Sequence, residues 1–250
     1  MRRAAGGAAA VTGDDDPAWS VAVVVPARDE AALLPRCLAS LSAAAARVRG
    51  VARVHVAVVA DSCHAGTEAV AAHALAAADA SIVRIAAGNV GVARAAGAAA
   101  ALRALPPTAP ERVWIAMTDA DSRVPAEWLR AHLAAARRGW CAVAGGIAVD
   151  DWGVRPRGLA ARLTRYRRTQ RDAGTRPVHG ANLGVSAAAL RAVGGVPQQA
   201  LSEDAALVAV LEAARVPVRW DPDLVVHTSA RRSGRAPGGF ATLLDELETR

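Results

Sequence analysis

Lysine is absent from this 250-residue chain, and aromatic residues make up only 3% of it. No apolar run approaches the roughly 20 residues that span a bilayer. Each absence narrows the field. Without interleaved rings on which bases stack, single-stranded nucleic acid is a poor partner, and no nucleic-acid role is expected. The three cysteines, Cys37, Cys63 and Cys141, are widely spaced and form no Cys-x-x-Cys pair. Neither a zinc site nor a disulfide framework is indicated, and a reducing cytoplasm is the expected setting. Residues 1–19 lack the apolar stretch of a signal peptide and read as a disordered lead-in. Gly-x-Gly-x-x-Gly is missing, which argues against a dinucleotide-binding dehydrogenase. Internal repeats are not evident. The lack of lysine, alongside heavy alanine and arginine usage, reads as coding bias rather than function.

What is present supports a sizeable core: 53% of residues are hydrophobic and 21% charged. The net charge of +7 permits contact with phosphates or an anionic membrane surface without proving either. Apolar runs at 21–25, 54–60, 81–85 and 113–117 read as buried strands. Helices are expected from about Glu30, with Leu34, Leu38 and Leu41 on one face, and over 67–78 and 93–105. This alternation predicts an α/β fold with a central, mostly parallel sheet flanked by helices. The second half is less regular. Strands are expected at 143–149 and 216–220, an Arg-rich helix over 159–172, a Gly-punctuated extended segment over 178–185, and helices over 186–193 and 205–214.

The most informative stretch follows the fourth strand. Asp119 and Asp121 are two residues apart, so in extended backbone they project to the same side. Paired anions there repel unless something positive lies between them. A divalent cation shared with a substrate diphosphate answers that need. Arg28, Asp29 and Glu30 follow the first strand, and Asp61 follows the second. Carboxylates at three strand ends, on what should be one edge of a parallel sheet, point to a site there.

Val24-Val25-Pro26-Ala27-Arg28-Asp29-Glu30 resembles the opening strand and loop of the family 2 glycosyltransferases, which have the GT-A fold. Asp61, 89–97, Asp119-Ala120-Asp121, Gly180-Ala181-Asn182 and Glu203-Asp204 occur in that family's order and approximate spacing. The resemblance covers roughly 21–228. It implies a GT-A-like domain over 20–228, with a donor half of about 20–122 and an acceptor half of about 123–228. Residues 229–250 then form a basic flexible segment and a C-terminal helix.

The same resemblance assigns roles. Pro26, Ala27, Arg28, Glu30, Asp61, Arg94 and Asp119 would bind the donor nucleotide. Asp121 would be the principal ligand of manganese or magnesium, with His227 a further ligand. Asp204 would be the catalytic base, and Gly180, Ala181, Asn182 and Glu203 would line the sugar and acceptor region. Arg231 and Arg235 are candidates to fold over the diphosphate. Bland readings stand beside several of these: Glu30 as a helix-start acid, Arg94 as a solvated arginine, His227 as a strand-end histidine, and Ser202 with its acids as a helix cap.

Arg28 stands where the family commonly has Asn, and Cys63-His64-Ala65 replaces a stretch that often carries a second acid. The Gln-x-x-Arg-Trp motif of processive synthases is absent. The expected function is metal-dependent transfer of a sugar from a UDP- or GDP-sugar to the hydroxyl of a small-molecule, glycan or lipid acceptor, inverting and non-processive. The expected location is cytoplasmic, with peripheral contact to the inner membrane surface left open. Alternatives are a nucleotidyltransferase, disfavoured because the first loop has no Gly, and a catalytically silent nucleotide-sugar binding protein.

Overall fold

A computed structural model describes residues 18–64, 66–149, 151–232, 234 and 239–249. The element order is β1 (Trp19–Ala27), α1 (Leu34–Ala46), β2 (Ala52–Asp61), α2 (Thr67–Ala74), β3 (Ala80–Ile85), α3 (Val90–Ala104), β4 (Val113–Met117), α4 (Trp128–Arg137) and β5 (Ala142–Val149). It continues with α5 (Leu159–Asp172), β6 (Leu183–Ser186), α6 (Ala187–Ala192), α7 (Glu203–Ala213), β7 (Val218–Thr228) and α8 (Phe240–Thr249). The strands form one sheet in the order β3-β2-β1-β4-β6-β5-β7. Only β6 runs against its neighbours β4 and β5. The remaining pairings are parallel.

Both faces of the sheet are covered, and the period-2 alternation of β1 shows how. Val21, Val23 and Val25 pack with Leu34, Leu38 and Leu41 of α1 and Leu129 and Leu133 of α4. Ala22 and Val24 face the opposite layer, with Ala98 of α3, Leu190 of α6 and Leu207 and Leu211 of α7. Gly97 lets α3 lie close to the sheet. A Cβ there would come within 2.6 Å of the Val24 side chain and 2.8 Å of Val59.

Several boundaries differ from the sequence expectation. The first helix begins at Leu34, because residues 30–33 form a turn whose Leu33 and Leu34 amides bond to the Glu30 carbonyl. Helix α3 starts three residues early, at Val90, because the Asn89 side chain accepts from the Val92 amide. Helix α2 stops at Ala74 rather than Ala78. Within the expected extended run, Gly180–Asn182 is a single 3-10 turn ahead of β6. Strand β7 continues past Trp220 to Thr228. It does so with a register shift opposite Gly145 and Gly146, where Pro222 cannot donate to the ladder.

A satellite cluster lies apart from the two main layers. Leu159 and Leu163 of α5 pack on Leu244 and Leu247 of α8, with Ala230 between. Buried Arg155 ties it together. Its Nε and Nη2 donate to the carbonyls of Ala230 and Arg231, both at 2.8 Å, and its Nη1 pairs with Asp245 and Glu248 of α8.

Candidate active site

Strand order reverses between β1 and β4: β2 and β3 follow on one side of β1, and β4 lies on the other. In an open parallel sheet this switch point leaves a crevice beyond the carboxyl ends of the strands. The loops after β1, β2, β3 and β4 therefore open on the same edge.

Asp61, at the end of β2, is buried and organises that edge. Its Oδ1 accepts from the Ala87 and Gly88 amides and its Oδ2 from the Asn89 amide, each at 2.8 Å, and Ser62 Oγ adds a bond at 3.0 Å. Burial alone would raise its pKa, but the hydrogen bonds outweigh it and hold the carboxyl below the ordinary range. The loops after β1 and β2 are also joined to each other. Asp29, in the left-handed region at φ 52°, accepts from the His64 amide at 2.8 Å and faces its ring Nδ1 at 3.0 Å. Cys63 Sγ reaches the Ala27 carbonyl. Along this rim Ala27 is buried, Pro26 half-buried and Arg28 exposed.

Arg94 overturns both readings of it from sequence. It is neither a solvated arginine nor an open anion contact, being only 2% exposed. Its Nε donates to Glu203 at 2.9 Å and its Nη2 to Asp119 at 2.5 Å. Nη1 has no partner among the described residues. Gly180 permits this packing, since a Cβ there would lie 2.4 Å from Arg94 Nη2. Arg94 thus joins the Asp119-x-Asp121 loop to the first turn of α7. Glu203 is consequently buried behind the crevice as an ion-pair partner. Burial, with Asp204 alongside, pushes its pKa up, and Arg94 pulls the other way without winning.

Asp121 is half-buried, its side chain 11% exposed, and its Oδ2 lies 3.1 Å from Arg231 Nη2. Arg231 Nη1 pairs with buried Glu30. The guanidinium therefore bridges carboxylates from two loops. Burial drives the Asp121 pKa up to about 6; Arg231 opposes this, while Asp119 and Glu30 reinforce it. A cavity of about 70 Å³ beside Asp121 is lined by His227, Asp151, Ser229 and Arg36 among others.

Asp204, in the first turn of α7, accepts from the Gly180 amide at 2.6 Å through Oδ2 and from the Ala205 amide at 2.7 Å through Oδ1. Ser202 does not cap the helix with its side chain and sits in the left-handed region at φ 56°. Asn182 is turned inward, away from the crevice. Its Oδ1 accepts from Trp128 Nε1 at 2.9 Å, and its Nδ2 donates to the Gly146 and Leu224 carbonyls. It ties strands together rather than presenting a polar group to a ligand. Ala181 is buried beside it. Arg235 lies outside the described residues.

The profile described as Glycosyl transferase family 2 matches residues 22–193. The chain belongs to this family. Comparison with curated proteins gives no match. Solved structures of GT-A glycosyltransferases share the fold. A mannosyltransferase, PcManGT from Pyrobaculum calidifontis, solved with GDP-Man and Mn2+, is 18% identical with a TM-score of 0.62, covering 90% of this chain and 68% of that one. S. aureus TarS 1-349 is 13% identical with a TM-score of 0.58, covering 85% and 60%. Glucosyl-3-phosphoglycerate synthase from Mycobacterium tuberculosis, solved with Mn2+ and UDP-Glc, is 15% identical with a TM-score of 0.55, covering 92% and 76%. This family 2 chain thus spans about 60% of the TarS fragment it matches.

In this family 2 member the fit of a divalent cation rests on its own donor set. Asp121 and His227 line one cavity, and a guanidinium already stands in as the positive charge between Asp121 and Glu30. Among the described residues no group of three or more His, Cys, Asp or Glu is arranged to hold a metal. Two protein ligands, completed by substrate phosphate and water, suit magnesium-like ions. Sequence reasoning missed the Asp29–His64 link, the Arg94 bridge and the Arg155 tie. Partners that lie from 25 to 109 residues apart carry no periodicity, so nothing in the spacing hints at the bridge.

Proposed function

We propose that this protein transfers a sugar from a UDP- or GDP-linked donor to an acceptor hydroxyl, with inversion, one sugar per encounter and a divalent cation. The observation that carries the reading is the Arg94 bridge. One buried guanidinium holds both Asp119 and Glu203, so the Asp-x-Asp loop and the Glu-Asp turn of α7 border a common crevice. The solved neighbours carry UDP-GlcNAc, GDP-Man or UDP-Glc, two of them with Mn2+, which supports a nucleotide-sugar donor and manganese or magnesium here.

The nucleotide fits the rim formed by Pro26, Ala27, Arg28 and the loop that Asp61 shapes. Asp121 and His227 would hold the cation, and Asp119 would serve the ribose. Manganese or magnesium, when bound, neutralises charge on the departing diphosphate. Arg231, which pairs with Asp121 and Glu30, would be the arginine placed to pair with the diphosphate were a cation to take its position at Asp121. Asp204 takes the proton of the attacking acceptor hydroxyl. The Gly180 amide fixes its orientation and leaves lone pairs for that hydroxyl. Among the described residues no helix is long and apolar enough to cross a membrane. The net charge of +7 suits peripheral contact with an anionic membrane surface.

Release of nucleoside diphosphate from a panel of UDP- and GDP-sugars, with manganese present, tests the reading. One donor should be turned over by the wild type. Asp204→Asn should slow turnover by about 10²–10⁴-fold while still binding that donor. No turnover of any donor, together with no nucleotide binding, removes the proposal.

A further inference from the structure

The bonds of Arg155 lead to the crevice through another residue. Strands β5 and β7 are parallel partners and finish opposite each other, Val149 against Thr228. Both run the same way as β4, because β6 opposes β4 and β5 alike. The chain after each therefore leaves the site edge of the sheet side by side with the other. Arg155 stands on the first of these segments, and Ala230 and Arg231 on the second.

The Arg155 side chain is 1% exposed, so its guanidinium needs partners within the protein. It divides them between two elements. Nε and Nη2 hold the Ala230 and Arg231 carbonyls, both at 2.8 Å. Nη1 reaches Asp245 and Glu248 of α8, the latter at 2.8 Å. Arg232 adds a second tie, from Nη2 to Glu248 at 2.6 Å. Helix α8 is seated in turn on α5 by Leu244 and Leu247, and Arg162 Nη1 donates to the Leu247 and Glu248 carbonyls.

Among the described residues, the bond from Arg155 to Arg231 goes to the backbone carbonyl. The Arg231 side chain pairs instead with Glu30 and Asp121. A long side chain can serve two carboxylates at once only at a cost in freedom, and that cost falls when its backbone is already held.

We propose that Arg155, backed by α8, is a positioning residue that latches Arg231 in the cation position between Asp121 and Glu30. The latch keeps that position closed to a cation that arrives alone. A donor diphosphate brings oxyanions that compete for Arg231, so cation and nucleotide bind more tightly together than apart, each favouring the other by the same factor. The cation part rests on the reading of Asp121 as its ligand; the latch between Arg155 and Arg231 does not.

Wild type, Arg155→Met, Arg231→Ala and the double variant, all as the full chain, are titrated calorimetrically with manganese chloride in the absence of nucleotide. Each is also unfolded in urea without metal. Arg155→Met should bind manganese about tenfold more tightly than wild type, as Arg231→Ala does, and the double variant no more tightly than Arg231→Ala alone. In urea the double variant should lose clearly less stability than the two single losses added, because Arg155 and the Arg231 side chain act as one unit. A role confined to holding the segment would cost the same with or without that side chain. Leu163→Ala weakens the same apolar cluster without touching an Arg155 bond, and it should leave manganese affinity unchanged. Additive losses in urea overturn the latch, as does wild-type manganese affinity in Arg155→Met or equal tightening in Leu163→Ala. Should Arg155→Met fail to fold, Arg155→Lys takes its place in both measurements; it keeps a charge for the α8 carboxylates but cannot hold both carbonyls as well. If none of the proteins binds manganese while the urea losses are non-additive, the latch stands and the cation reading of Asp121 falls.

Discussion

Arg231 lies 3.1 Å from the Asp121 carboxylate and reaches Glu30 with its other terminal nitrogen. An arginine from beyond β7 thus fills the position of a cation between two loops at the switch point. Its hold is reinforced from behind, where Arg155 binds the Ala230 and Arg231 carbonyls. A divalent ion and this guanidinium compete for one carboxylate. Arg231→Ala should therefore bind manganese more tightly in the absence of nucleotide, by about tenfold, equivalent to about 1.4 kcal/mol. Calorimetric titration of manganese chloride into both proteins measures this. Equal or weaker binding by the variant would show that Arg231 does not compete with the ion.

The Arg94 bridge has a stability consequence. Arg94 and Glu203 are both buried, so removing the guanidinium strands a carboxylate in the interior. Arg94→Met should cost about 3–5 kcal/mol in urea denaturation. Part of the Asp119 contribution is lost to solvent, because that side chain is 38% exposed. The double variant Arg94→Met with Glu203→Gln should recover a substantial part of the loss, since no charge is then left unpaired. Additive losses would show that the bridge is not a coupled unit.

Much of the fold was legible because its strands are short, continuous apolar runs flanked by turn residues. The runs in β1, β2 and β4 are buried on both faces, and this is why they read cleanly. Helix α4 was missed: its apolar set, Trp128, Leu129 and Leu133, is short and includes a buried histidine, His132, at the position where a leucine would have made the face plain. Helix α3 offered the opposite difficulty. Eight of its 15 residues are alanine, so little in its pattern distinguishes the buried side that carries Arg94 from the exposed one. Asn182 was expected in the sugar and acceptor region because Gly180-Ala181-Asn182 resembles a loop of the family. Its true partner, Trp128, lies 54 residues away. Acids at strand ends were visible as a set, while the arginines that pair them were not, because ion pairs between distant segments leave no spacing to read.

Asp61 gives the protein a component of acid sensitivity. Its folded-state pKa lies below the ordinary value, so it is stabilising wherever the unfolded carboxylate is also ionised, above about pH 4. That contribution is lost as pH falls through the lower native value. Asp61→Asn should destabilise the protein at pH 7 by about 1–3 kcal/mol, because three backbone amides lose a charged acceptor. The variant should also lose less stability than the wild type between pH 5 and pH 3, two points chosen to bracket the window. Urea denaturation at the two pH values checks both statements, and a wild-type-like acid response in the variant would contradict the second.

The central claim is that Asp121 anchors a cation which in turn grips a nucleoside diphosphate at the β1–β4 crevice. Calorimetric titration of UDP and of GDP into the wild type and Asp121→Ala, with and without manganese, tests it most directly. One nucleotide should bind the wild type about tenfold or more tightly when manganese is present, and Asp121→Ala should abolish that gain. Nucleotide binding that is indifferent to manganese in the wild type, or a manganese gain that survives in Asp121→Ala, would contradict the account.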